Sequence, residues 1–129
     1  MAASKKVLLD DVFSMYIRLR DSQEFDFRYA KCISCSRIMP WRMLDCGHFY
    51  DRGILSLRTN EFNCNAECEI CNRYSDKHLV SYKKNLIEKI GIEEFNKLGE
   101  LKHEIVSISD WEYDEKIAYY KRKIKEFRH

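Results

Sequence analysis

Two short repeats constrain this chain more than anything else in it. Cys32-Ile33-Ser34-Cys35 and Cys68-Glu69-Ile70-Cys71 are both Cys-x2-Cys, separated by the 32 residues from 36 to 67. Each turn can present two thiolates to one metal, and two turns complete a tetrahedral all-cysteine site, the arrangement zinc adopts in closed structural sites. The spacing predicts one structural Zn2+ on Cys32, Cys35, Cys68 and Cys71. The bland alternative is a set of buried free thiols. Cys46 and Cys64 fall outside the pattern; Cys64 can compete with a knuckle ligand, and otherwise both read as small apolar core residues.

The rest of the chain suits such a staple. Its 129 residues are 45% apolar and 34% charged, enough for one compact core but not a generous one, so a bound metal is expected to carry part of the stability. No apolar run approaches the roughly 18 residues that cross a bilayer, and acidic residues interrupt the N-terminus before a signal-peptide core develops. A soluble, intracellular protein is expected, with no membrane partner; in a reducing compartment six cysteines read as ligands rather than disulfides. The whole is read as a single domain, 1–129.

Around the cysteines the pattern is helical. From Lys6 to Arg20, Leu9, Phe13, Tyr16 and Ile17 recur at helical spacing, and residues 21–31 read as a linker running into a short strand. The segment 32–91 reads as short strands and loops around a metal, closed by a helix with Leu79, Tyr82, Leu86, Ile87 and Ile90 on one face, Ser75 or Asp76 as its cap and Gly91 as its stop. Within 92–129 a shorter helix precedes a longer one, which has Ser109 and Asp110 as possible caps and Trp111, Ile117, Tyr120, Ile124 and Phe127 at helical intervals. The class is α+β.

Net charge is only +2 but uneven. The tail carries Lys121, Arg122, Lys123, Lys125 and Arg128 against Glu126, and the cysteine-rich region adds Arg52, Arg58 and Arg73. A solvated helix face explains the tail alone; clustering around a reactive site would favour phosphate contact.

A zinc knuckle alone means only a stapled fold, so function passes to what the staple holds. His48 lies in an expected strand, Asn63 five residues before Cys68, and Asn72 directly after Cys71. An imidazole that takes a proton from water, beside a hard cation held by oxygen ligands, suits phosphodiester hydrolysis. The competing readings are a turn or core histidine for His48, a turn former for Asn63, and a plain helix N-cap for Asn72. His78 and His103 read as surface or packing residues.

Taken in order, "CISC", "DCGHFYDRG", "LRTNEFNCNAECEICN" and "SYKKNLIEKIG" resemble the zinc-containing HNH, or His-Me finger, nucleases, and within them the NinG (Rap) recombination nucleases of bacteriophages. The resemblance spans residues 8 to 126. It implies a small ββα-metal core with flanking N- and C-terminal helices. It also implies a phage-encoded endonuclease, acting in the bacterial cytoplasm, that cuts branched or double-stranded DNA such as Holliday junctions and D-loops. Carried over, His48 is the general base, Asn63 ties the loop and orients the histidine, and Asn72 is a ligand of the catalytic Mg2+ or Mn2+. Arg52, Arg58, Arg73, Lys121 and Arg122 are expected to contact DNA, and a homodimer would allow two-strand cutting.

One position departs from the family pattern. Where many of these nucleases place a metal-binding aspartate just before the histidine, this chain has Gly47. Asp45 and Asp51 are the nearest carboxylates, both an odd number of residues from His48 and so on the opposite face of a regular strand. A bulge at Gly47 would redirect one of them, Asp45 being the preferred candidate. His48 as a metal ligand rather than a base stays open, as does a non-catalytic, zinc-stapled DNA-binding module.

Overall fold

The computed structural model describes residues 4–127; Arg128 of the basic tail lies outside them. The first helix, α1, runs Lys5–Asp21, with the Ser4 hydroxyl accepting from the Val7 N–H at 3.2 Å as its N-cap. Its expected apolar face is buried: Leu9, Phe13, Tyr16 and Ile17, joined by Leu19. A 3-10 turn, Gln23–Phe25, leads through Asp26 and Phe27, both left-handed, into strand β1, Tyr29–Lys31.

Strand β1 pairs antiparallel with β2, Ile38–Pro40, and the first Cys-x2-Cys forms the turn between them. Pro40 is tolerated because it ends a strand of a two-stranded sheet, where its missing N–H costs no ladder bond. A second antiparallel pair follows: β3, Asp45–His48, against β4, Cys64–Glu67, with Asp45 opposite Glu67, Cys46 opposite Ala66, Gly47 opposite Asn65 and His48 opposite Cys64. The short helix α2, Leu55–Arg58, lies in the connection.

Every residue of β4 is buried, because both faces of this hairpin are covered. Cys64 packs with Leu9, Phe13 and Ile17 of α1. The other face carries Asn65 and Glu67 and meets the next helix, α3 (His78–Ile90), whose Tyr82 hydroxyl donates to the Gly47 carbonyl and accepts from Asn65 Nδ2. The strands thus form two small two-stranded sheets in an α+β arrangement.

Two details differ from the sequence reading. Asn72 does not open α3; it sits in a separate π-helical turn, Ile70–Tyr74, while α3 begins six residues later at His78 with no side-chain cap from Ser75 or Asp76. Gly91, at φ 88°, does stop α3 and leads into α4, Ile92–Leu101. The last helix, α5 (Asp110–Phe127), starts at a reciprocal capping box between Ser109 and Glu112 and packs Ile117, Tyr120, Ile124 and Phe127 toward α1. Trp111, in the first turn, faces solvent at 67% exposure. No helix among the described residues is long and apolar enough to cross a membrane.

Candidate active site

The four knuckle cysteines converge. One ligand atom from each of Cys32, Cys35, Cys68 and Cys71 lies within 4.8 Å of the others, and the Cys35 and Cys68 sulfurs stand 3.7 Å apart. Tetrahedral Zn–S legs of ~2.3 Å give a sulfur–sulfur edge near ~3.8 Å, so this one edge already has the length a zinc site needs. The backbone N–H groups of Cys35 and Cys68 also point at the Cys32 sulfur, at 3.5 and 3.2 Å, which favours its thiolate. Burial pushes the free Cys32 thiol up to about 11, so proton displacement belongs to metal loading. Chemically and geometrically the set fits a structural zinc.

His48 ends β3, on the hairpin face turned toward α1. Its Nε2 lies 2.8 Å from the Arg58 backbone carbonyl. A carbonyl only accepts, so Nε2 carries the proton and Nδ1 keeps the lone pair. No hydrogen-bond partner holds Nδ1 among the described residues. Burial, reinforced by the nearby Arg52 charge, holds the imidazole below its ordinary 6.5 against the opposing pull of the Arg58 carbonyl and Asp10. His48 is thus a neutral imidazole at physiological pH.

Asn63 braces the loop that carries the Arg58 carbonyl. Fully buried, Asn63 accepts from the Tyr50 N–H at 2.9 Å and donates from Nδ2 to the carbonyls of Tyr50 (3.0 Å) and Leu57 (3.1 Å), clasping both ends of the 49–63 connection. Leu57 directly precedes Arg58, so the clasp holds the peptide next to the one that meets the imidazole.

A cleft of about 320 Å³ opens along β3, lined by His48, Asp45, Cys46, Asn72, Arg52, Arg58 and Arg73 together with Asp10, Asp11, Phe13 and Ser14 of α1. A neighbouring recess shares Cys46, His48, Arg52 and Asn72 and adds Asp51 and His78. Strand parity does place Asp45 and His48 on opposite faces, and the register runs through Gly47 without a bulge. They share the cleft nonetheless, because β3 pairs on one side only and its free edge admits side chains from both faces.

Asp45 is heavily engaged. It accepts two bonds from the Arg73 guanidinium, each 3.0 Å, and one from Asn72 Nδ2 at 3.0 Å. With Nδ2 committed, the Asn72 amide turns its oxygen away as a free acceptor. A carboxylate and an amide oxygen are hard donors of the kind Mg2+ or Mn2+ takes, and here both carboxylate oxygens are held by Arg73 and Asn72. Arg73 is 56% exposed while Asp45 is 19% exposed, so a cation entering here would have to displace a two-pronged guanidinium.

Gly47 has its own reason. A Cβ there would stand 2.3 Å from Glu67 Oε1 and 2.8 Å from Glu67 Cβ, so no side chain fits. Glu67 fills the space, buried, with Oε2 accepting from the Ser34 hydroxyl and from His78 Nδ1–H at 2.7 Å, and with Oε1 unpaired among the described residues. Asp10, Glu67 and His78 bear on the site although the spacing of motifs gave no sign of them. Each arrives through a contact between distant segments.

The cationic residues divide. Arg58 is only 12% exposed and grips both oxygens of Asp10, so its charge is internal. Arg52 is 64% exposed with a longer 3.6 Å contact to the same carboxylate, and with Arg73 it offers charge at the rim. Lys121 and Arg122 are exposed on α5 and line neither the cleft nor its recess.

Comparison with known proteins places these features in a context. The family model described as "NinG: Bacteriophage Lambda NinG protein" matches residues 5–129. The ninG proteins of Salmonella phage P22 and Escherichia phage lambda are each 32% identical over 114 residues, covering 88% of this chain and 52% of theirs. That of Escherichia phage 933W is 34% identical over 79 residues, covering 60% of this chain and 36% of its own. The chain thus spans about half the length of the first two relatives. No solved structure matches.

Proposed function

The chain belongs to the NinG family of bacteriophage proteins, and from that membership we propose that it is a metal-dependent, structure-specific endonuclease that hydrolyses phosphodiester bonds in branched DNA, such as Holliday junctions and D-loops, during phage recombination in the host cytoplasm. The observation that carries the reading is His48: a neutral imidazole, its tautomer fixed by the Arg58 carbonyl, in one cleft with the Asn72 amide and the Asp45 carboxylate.

In the reaction His48 Nδ1 takes a proton from water as the water oxygen attacks phosphorus and the P–O bond to the leaving oxygen breaks. Asn63 braces the loop at Tyr50 and Leu57, next to Arg58, whose carbonyl orients the imidazole. Asn72 and Asp45 would hold the divalent cation, which would supply charge neutralisation on the phosphate and the leaving oxygen. The zinc knuckle sets the backbone immediately before Asn72 and so positions its amide. Arg52 and Arg73 at the rim supply phosphate contacts that position a duplex without reading its sequence, and Lys121 and Arg122 on α5 meet a second arm. Cutting two strands of a junction symmetrically calls for two such sites, hence a homodimer.

The test is direct. The full chain is incubated with a synthetic four-way junction and with a linear duplex of the same sequence, with and without Mg2+. The reading expects Mg2+-dependent cleavage that favours the junction. A junction that shifts on a gel while its strands stay whole in every metal tried would instead identify a non-catalytic binding module.

A further inference from the structure

Cys46, His48 and Cys64 form a second cluster of metal-ligating atoms, all within 4.8 Å of one another and separate from the knuckle. The backbone explains the cluster. Cys46 and His48 are two apart on β3 and share a face, while Cys64 is the direct cross-strand partner of His48 on the adjacent strand. Cys64 is fully buried and its sulfur lies 3.7 Å from the Arg58 carbonyl that also meets His48 Nε2. Cys46 and His48 reach the cleft, so the cluster has a closed side and an open one.

From this geometry we infer a second, soft metal site on Cys46, His48 and Cys64, selective for Zn2+ or Cd2+ over Mg2+, with its fourth position open to the cleft. Two sulfurs and one imidazole nitrogen are a borderline-soft donor set, poor for Mg2+ and suited to zinc. Three protein ligands leave one coordination position for water or phosphate. Loading replaces the two thiol protons, which leave to solvent, and uses the lone pair of the neutral imidazole.

That lone pair is the one the proposed hydrolysis needs. A neutral imidazole has only one, so His48 cannot hold the ion and accept a proton from water together. Excess zinc therefore blocks the Mg2+-supported reaction. This consequence rests on the nuclease reading; the metal site does not.

Cobalt(II) titration of the reduced, metal-depleted full chain tests the site, followed by thiolate-to-cobalt charge-transfer absorption and by metal analysis after gel filtration. The wild type should take up two equivalents, the second weaker. Cys46→Ser and Cys64→Ser should each retain the first and weaken the second by more than about tenfold, retention of the first showing that the fold is intact. Cys46 is half-buried, so its variant stands if Cys64→Ser does not fold. Saturation of the wild type at one equivalent, or a second equivalent unchanged in Cys46→Ser, would overturn the site. In the cleavage assay zinc should inhibit the wild type, and the inhibitory concentration should rise about tenfold or more in Cys46→Ser. A chain that binds the second equivalent but cuts no junction would sink the nuclease reading and leave the metal site standing.

Discussion

His48 Nε2 donates to the main-chain carbonyl of Arg58 over 2.8 Å, and this one bond decides which imidazole nitrogen is free to act. Because burial also holds the imidazole below its ordinary 6.5, the reactive neutral form persists to lower pH than for a free histidine. Single-turnover cleavage should be flat through neutrality and fall by about tenfold per pH unit only below the lowered pKa. The sign follows from a base that must be unprotonated: a limb that breaks above pH 6.5 would mean that another group is titrating.

Asn63→Ala should destabilise the protein by ~1–3 kcal/mol, because it leaves the half-buried Tyr50 N–H and carbonyl without their partner and removes one of the donors to the Leu57 carbonyl. Urea unfolding checks it. The midpoint should drop with the slope unchanged, whereas a shift of under about 0.5 kcal/mol would show that the clasp is dispensable.

Gly47→Asp should not supply a better metal ligand. The new Cβ collides with Glu67, and overpacking of this kind costs ~1–3 kcal/mol. A thermal melt of Gly47→Ala isolates the steric part, and a variant as stable as wild type would show that Glu67 can move aside.

How far the sequence reached is clearest at these residues. The knuckle cysteines, His48, Asn63 and Asn72 stand at spacings that turns and strands enforce locally, and a reader of the chain can find them. The Gly91 stop and the Ser109 cap were legible for the same reason. Glu67 against Gly47 was not, since nothing local says that a residue 20 positions away will fill a missing side chain. Asp10 meets Arg58 across 48 residues of chain, and turned an arginine expected at DNA into an internal partner. Trp111 matched the helical period but falls beyond the stripe that α1 covers. Asn72 was found, but not its π-helical turn, whose period differs from that of a regular helix.

That division of the arginines has a measurable form. Arg52→Ala should weaken junction binding and lower the slope of log K against log salt by about 1, with little change in stability. Arg58→Ala should instead cost ~1–3 kcal/mol of stability by leaving Asp10 without its two-pronged partner. Equal effects of the two on the salt slope would contradict the division.

Removing zinc should undo the stapled end. Cys35→Ser, at the most exposed of the four ligands, should lose near-stoichiometric knuckle zinc and lower Tm by about 10 °C or more. Purified wild-type chain without any bound zinc would remove the staple from the account.

The central claim is that His48 is the base of a phosphodiester hydrolysis, and His48→Ala tests it most directly. Single-turnover cleavage of a four-way junction in Mg2+ should fall by roughly 10²–10⁴-fold while the gel shift of the junction stays within about twofold of wild type. His48→Ala cutting the junction at the wild-type rate would contradict the account.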